Sequence, residues 1–132
     1  MSVLDASAAL EFLLGTAAGR GVEARLLSVR AFAAPEPLPF EVLAVLRRAE
    51  RRGVLTAQRG TDALADLHEL PLTLFSTRAL LWRAWELRHN FTAADAMYVA
   101  LAEALEEPLL TGDQPLARAV QRHTDVAIDL VA

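Results

Sequence analysis

Short apolar runs alternate with longer stretches of helical period along this chain, and that alternation leaves few folds open. Ser2-Val3-Leu4 ends at Asp5, Leu72-Thr73-Leu74-Phe75 follows Pro71, and Leu109-Leu110-Thr111 closes at Gly112. Through Asp125 to Val131, Val126, Ile128 and Leu130 alternate with other residues. Each run has the length of a strand and is too short for a stable helix. Between them the sequence predicts helices over Ala8–Leu14 (stopped by Gly15), Gly21–Phe32, Phe40–Arg52 (ended by Gly53), Thr56–Glu69, Thr77–His89, Thr92–Glu106 and Pro115–Arg122. Val22, Leu26, Leu27 and Val29 carry the helical spacing of the second of these. Ala33 to Pro39 holds three prolines and reads as a connector with room for a short strand at Phe32-Ala33-Ala34. Strands alternating with helices predict an α/β fold, three layers deep, with a mainly parallel central sheet. No repeat or compositional break divides residues 1–132, so a single domain is expected.

Composition narrows the chemistry. Hydrophobic residues make up 54% of the chain and charged ones 23%, enough apolar surface for a core and no signature of disorder. Cysteine is absent, which removes disulfides, thiolate metal sites and thiol nucleophiles. All 13 basic residues are Arg. The N-terminal stretch lacks a basic leader, and Asp5 and Glu11 interrupt its apolar run, so it does not read as a signal peptide. No segment reaches the roughly 18 apolar residues of a membrane helix. A soluble, cytoplasmic protein with no membrane contact is expected.

Of the 17 acidic residues, most need only water. Four sit where solvation alone does not explain them. Asp5 and Asp113 each follow a predicted strand, and parallel sheets bind ligands beyond the carboxyl ends of their strands. Each can equally be a turn or helix-capping residue. Glu41 falls on the apolar stripe Leu38, Val42, Val45, Leu46 and Ala49 of its helix, where an acid needs an Arg partner or a cation. Asp95 lies in the first turn of its helix, where it either completes a capping box with Thr92 or simply complements the helix dipole. Four carboxylates brought together repel one another, and a divalent cation is their natural partner. Oxygen ligands without Cys or clustered His suit Mg²⁺ or Mn²⁺. Such a centre polarises phosphoryl oxygens and activates water.

Other acidic-edge chemistries fit less well. Receiver-type and dehalogenase-type phosphoryl sites place a Lys beside their aspartates, and this chain has none. The dehalogenase pattern also wants Asp where Ser7 stands. No Gly-Lys-Ser/Thr phosphate loop and no Gly-x-Ser-x-Gly elbow occurs.

The blocks Val3-Leu4-Asp5-Ala6-Ser7-Ala8, Pro35 to Glu41 followed by Val42-Leu43-Ala44-Val45-Leu46-Arg47-Arg48, Thr92-Ala93-Ala94-Asp95-Ala96-Met97-Tyr98-Val99-Ala100-Leu101-Ala102-Glu103, and Leu109-Leu110-Thr111-Gly112-Asp113 with Leu116-Ala117 resemble the PIN-domain ribonucleases, most closely their bacterial VapC toxin branch. The resemblance spans essentially the whole chain in order. It implies a PIN-like sandwich and a Mg²⁺- or Mn²⁺-dependent endoribonuclease whose acids, matching Asp5, Glu41, Asp95 and Asp113, hold the metal and its water. It implies hydrogen-bonding support from Ser7 and Thr111, an RNA substrate, a cognate antitoxin that masks the acids, and a homodimer. Two positions depart from the pattern. Ala94 stands where many relatives carry Tyr, and after Asp113 the chain has Gln114 and Ala117 rather than a further acid. A catalytically weak PIN-like protein-binding module is the alternative reading.

Several residues carry two readings. Arg47 and Arg48, with Arg51 and Arg52, either guide phosphates or form a solvated basic helix end. Thr92 and Tyr98 either touch substrate or serve as cap and core. Trp82 and Trp85, three apart, read as core or dimer interface. His68, His89 and His123 are too dispersed to suggest a cluster.

Overall fold

The structure is a computed structural model that describes residues 1–28 and 31–131. Its strands are β1 (Ser2–Leu4), β2 (Phe32–Pro35), β3 (Leu72–Phe75), β4 (Leu109–Thr111) and β5 (Ile128–Leu130). Its helices are α1 (Ala6–Leu13), α2 (Ala17–Ser28), α3 (Leu38–Arg51), α4 (Ala57–Glu69), α5 (Thr77–Glu86), α6 (Ala93–Leu105) and α7 (Gln114–His123). The strands form one parallel sheet in the order β3-β2-β1-β4-β5. Every residue of β1, β2 and β4 is buried, as parallel strands covered on both faces require, while edge strands β3 and β5 are only partly covered.

The chain winds outward from β1 through β2 to β3 and then returns past β1 to β4 and β5. Right-handed crossovers put the connections of the two legs on opposite faces. On the outward leg α1 packs against α2, α3 and α4; on the return leg α6 lies across β1, β2 and β4 and carries α5 on its outer side. The result is the expected α/β/α sandwich, with the winding reversed between β1 and β4. Such a reversal opens a crevice beyond the carboxyl ends of those two strands.

Local chemistry fixes the ends that matter. The side chains of Asp5, Thr92 and Asp113 accept from the backbone of Ala8, Asp95 and Leu116, capping α1, α6 and α7. Pro39 is tolerated in the first turn of α3, where no intrahelical N–H is needed. Far from the crevice, Arg25 of α2 holds Asp129 of β5 through two bonds of 2.9 and 2.8 Å.

Four boundaries differ from the sequence reading. The helix expected over Gly21–Phe32 begins at Ala17 and runs to Ser28; Val29 and Arg30 lie outside the described residues, and Phe32 opens β2. Most of the expected Ala33–Pro39 connector is strand or helix, because Pro35 closes β2 and α3 starts at Leu38. Helix α5 stops at Glu86 and gives way to turns. In the last segment only Ile128–Leu130 pairs, and Leu130, expected to face inward, is 40% exposed while Val131 is buried. An edge strand covered by little more than α7 does not enforce strict alternation.

Gly19 allows α2 to lie against α1: a Cβ there would stand 2.1 Å from the Glu11 carbonyl oxygen. In an open helix Gly→Ala stabilises by about 1 kcal/mol. Here Gly19→Ala is expected to do the opposite, costing about 1–3 kcal/mol in urea unfolding as the helices are forced apart. An unchanged unfolding midpoint would contradict this close approach.

Candidate functional site

The four acids reach the carboxyl edge of the sheet from four helices. Asp5 follows β1 and caps α1, Glu41 is in the first turn of α3, Asp95 is in the first turn of α6, and Asp113 follows β4 and caps α7. The helix N-termini therefore converge, and their positive dipole ends favour carboxylates. The capping alternative for Asp5 and Asp113 is realised as well: one oxygen of each serves the helix start.

Asp5 is 5% exposed and takes three donors. Oδ1 accepts from the Ala8 backbone at 2.9 Å and from Ser7 Oγ at 2.7 Å, and Oδ2 accepts from Thr111 Oγ1 at 2.7 Å. Both hydroxyls also accept: Gly112 N–H reaches Ser7 Oγ at 3.0 Å, and Asp113 N–H reaches Thr111 Oγ1 at 3.0 Å. A hydroxyl has one proton. Ser7 and Thr111 give theirs to Asp5, so the 3.3 Å between the two oxygens is a contact rather than a further bond.

Glu41 is half-buried on its stripe and has no Arg partner among the described residues. Its donor is Tyr98 on α6, whose hydroxyl reaches Oε1 at 3.1 Å. Tyr98 is 2% exposed, so its role is core and positioning. Thr92 acts as a cap, with Asp95 N–H donating to its hydroxyl at 3.2 Å. The reciprocal bond of a capping box, from the Thr92 N–H to the Asp95 carboxylate, is not formed among the described residues; the Thr92 hydroxyl instead partly offsets the rise in the Asp95 pKa.

The electrostatics close a ring. Burial raises the pKa of Asp5, Glu41 and Asp95 above ordinary carboxylate values. Charge repulsion adds to this: Asp113 raises Asp5 and Asp95, while Asp95 and Asp5 raise Glu41. The Tyr98 hydroxyl partly offsets the rise at Glu41, and Tyr98 itself is pushed far above the usual phenol range by burial and by Glu41. None of the four acids is in an ion pair among the described residues. Nor do any three stand close enough to hold an ion as they are placed. The donor set, all oxygen and net negative, fits a hard divalent ion.

Asp95 and Asp113 line one cleft of about 470 Å³ with Arg88, His89, Asn90 and Thr92. A cleft of about 570 Å³ lies at the opposite end of the sheet, beside Glu106 and Pro108, and holds none of the four acids. Arg47 and Arg48 are exposed, but the helix rises about 1.5 Å per residue, so they lie roughly 9–11 Å further along α3 than Glu41. The structure does not bring them to the acids. Sequence reasoning did not single out Arg88 and set His89 aside as too dispersed; both stand in the turn feeding the α6 N-terminus. Their nearness in sequence to the Thr92 cap was the available signal. Trp82 and Trp85 are exposed, which excludes the core reading. Ala94, the departure from the family pattern, faces solvent.

The PIN domain family model matches residues 2–121. Ribonuclease VapC12 of Mycobacterium tuberculosis is 39% identical over all 132 residues, the full length of both chains. Ribonuclease VapC9 of the same organism is 37% identical over 97% of this chain and 98% of its own. Among solved structures, PAE2754 from Pyrobaculum aerophilum shares the fold with a TM-score of 0.71 at 20% identity, covering 98% of this chain and 83% of the other. Mycobacterium tuberculosis VapC20, described as a sarcin-ricin loop cleaving toxin, has a TM-score of 0.63 at 19% identity over 90% and 95% of the two chains. The chain belongs to the PIN-domain family, on its VapC ribonuclease branch.

Two expectations follow from the geometry. Thr111→Val removes a donor from a buried carboxylate and an acceptor from Asp113 N–H, and should cost about 2–3 kcal/mol by chemical denaturation; a neutral effect would remove Thr111 from the network. The pH response has a defined sign. Asp5, Glu41 and Asp95 are raised from 3.8, 4.5 and 3.8, so the folded chain keeps protons that the unfolded chain has released. Their contribution is full below those values and is lost as pH rises through the raised pKa values. Asp129, lowered by Arg25, acts oppositely and loses its contribution as pH falls below 3.8. In EDTA, Tm should therefore fall as pH rises above the ordinary carboxylate range, and saturating Mg²⁺ should flatten the slope. Asp95→Asn should raise the metal-free Tm at neutral pH and abolish the Mg²⁺ response. A metal-free Tm that climbs above that range would contradict the ring.

Proposed function

We propose that Asp5, Glu41, Asp95 and Asp113 hold Mg²⁺, or Mn²⁺ in its place, and that the chain is a metal-dependent endoribonuclease, the toxin half of a toxin–antitoxin pair. The observation that carries this is the ring of four mutually repelling carboxylates at the carboxyl ends of β1 and β4, with no Arg among the described residues to neutralise it. The ribonuclease names of full-length relatives support it. Bound there, a divalent cation would supply Lewis acidity toward the phosphodiester and remove the field that repels RNA. The chain's own residues do the positioning. Ser7, Thr111 and the Ala8 N–H fix both oxygens of Asp5, and Tyr98 fixes Glu41 across from α6. The helix dipoles partly offset the burial and repulsion that raise Asp5, Glu41 and Asp95. RNA is the substrate, a cognate antitoxin masks the acids, and a second copy completes a homodimer. No helix among the described residues is long and apolar enough to cross a membrane, and we place the protein in the cytoplasm.

The test is cleavage of a mixed RNA pool by purified, antitoxin-free protein with Mg²⁺, Mn²⁺ or EDTA. Cutting is expected only with metal. Asp5→Asn keeps the acceptor for Ala8 and Ser7, so it should fold and yet lose at least about 100-fold in rate, since even residues that merely orient ligands cost about 10–100-fold. A fully active Asp5→Asn enzyme sinks the metal assignment. Folded protein that cuts nothing under any metal moves the reading to a protein-binding module.

A further inference from the structure

Helix α5 carries the chain's two tryptophans, and both stand in water: Trp82 is 82% exposed and Trp85 61%. Leu81 beside them is half exposed. Leu80 and Ala84 anchor the other side of the helix in the core, so Arg78, Leu81, Trp82 and Trp85, spaced by three and four, form its outer face. A contiguous exposed aromatic face marks a contact surface.

Its surroundings indicate what it contacts. The Arg88 guanidinium lies over the Trp85 ring, 4.2 Å from its centroid, and also donates to the Trp85 carbonyl at 2.8 Å. Arg78 is exposed at the other end of the face. The other Arg of the helix, Arg83, is held by Glu103 at 2.9 and 3.2 Å. The acid Glu86 is also near, 3.9 Å from Arg83. Beyond Trp85 the face continues into the catalytic cleft, because Arg88, with His89 and Asn90, lines it beside Asp95 and Asp113. No acid occurs between Glu86 and Asp95 in the sequence.

We propose that single-stranded RNA approaches the acids along α5, with bases stacked on Trp82 and Trp85 and a backbone phosphate held by Arg88 at the mouth of the cleft. The proposal deepens the nuclease reading and rests on it. Cationic groups interleaved with aromatic faces are the chemistry of single-strand binding, since every unpaired base offers a π-face and a duplex offers few. The continuity of the strip with the acid cleft is what favours RNA over a second copy of the chain.

The two tryptophans being the only ones, intrinsic tryptophan emission reads this strip alone. The probe is an unstructured oligoribonucleotide roughly ten nucleotides long, within the usual span of such platforms, titrated in EDTA so that it is not cut. Saturable, salt-sensitive quenching is expected, with a duplex of equal length quenching far less. Trp82→Ala and Trp85→Ala should each weaken binding on the order of tenfold and, with metal, raise KM by a similar factor while leaving kcat in place. Trp85→Phe should restore most of the affinity. Emission indifferent to RNA, or an unchanged KM in both Ala variants, overturns the proposal. So does an RNA-free, concentration-dependent blue shift accompanied by a doubled mass that Trp82→Ala abolishes, which would assign the strip to a second copy. Quenching without cleavage under any metal keeps the RNA strip and removes the nuclease reading; cleavage with unmoved emission does the reverse.

Discussion

A carboxylate that is 5% exposed has to be surrounded by donors, and at Asp5 those donors come from separate parts of the chain. Ala8 belongs to the first turn of α1, Ser7 to the same turn, and Thr111 to the end of β4, more than a hundred residues away. Removing any of them leaves charge without compensation. The Asp5 network therefore has a structural role. It fixes where β1 ends and α1 begins, and it ties β1 to β4 at the crevice the topology opens. Because the Thr111 hydroxyl also accepts from Asp113 N–H, the same proton arrangement aims the start of α7.

The second fixed point is built differently. Glu41 is anchored by a single neutral donor, Tyr98, from the helix on the other face of the sheet. Burial and the neighbouring carboxylates push the phenol upward, so Tyr98 stays protonated and remains a donor throughout the pH range in which the chain is folded. One acid is thus held by a dense local network and another by a long-range bond. Asp113 caps α7 with one oxygen, and Asp95 lines the same cleft. All four carboxylates crowd one site. The repulsion it stores lowers the stability of the metal-free chain, the usual cost of concentrating like charges for function.

The order of strands and helices, the parallel sheet and the sites of all four acids were legible in the sequence because each rests on local signals. Apolar runs of strand length ended in Asp or Gly, and helix starts carried Thr or Asp caps. What was not legible depended on packing. The early start of α2 requires Gly19 to fit against Glu11, which no periodicity records. The β2 strand was read only as a short run at Phe32-Ala33-Ala34 and extends to Pro35, since a strand can end on proline without losing a needed donor. Tyr98 sat on an apolar line and read as core, which it is; that its hydroxyl meets Glu41 depends on how α6 crosses the sheet. The Trp pair read as core or dimer interface because spacing alone cannot say which face of α5 turns inward; exposure removes only the core reading.

The distribution of charge explains how an acidic protein with net charge −4 can still offer a route to an anionic polymer. Helices α1, α3, α6 and α7 present their N-termini to the crevice, so acids collect there and are partly offset by the dipoles. By the same logic basic residues are favoured at helix C-termini, which is where Arg48 and Arg51 of α3 lie, far from the acids. The parallel sheet thus segregates carboxylates to one edge and draws much of the compensating charge away from it. Cationic and polar groups near the crevice must then come from a connection rather than a helix interior, and the turn from Arg88 to Asn90 provides them. Its position is forced: it is the segment that delivers the chain to the Thr92 cap, so it passes the cleft wherever Asp95 does. Topology fixes where this turn lies, and Arg88 within it, exposed and in no ion pair among the described residues, puts positive charge at the cleft without neutralising the acids themselves.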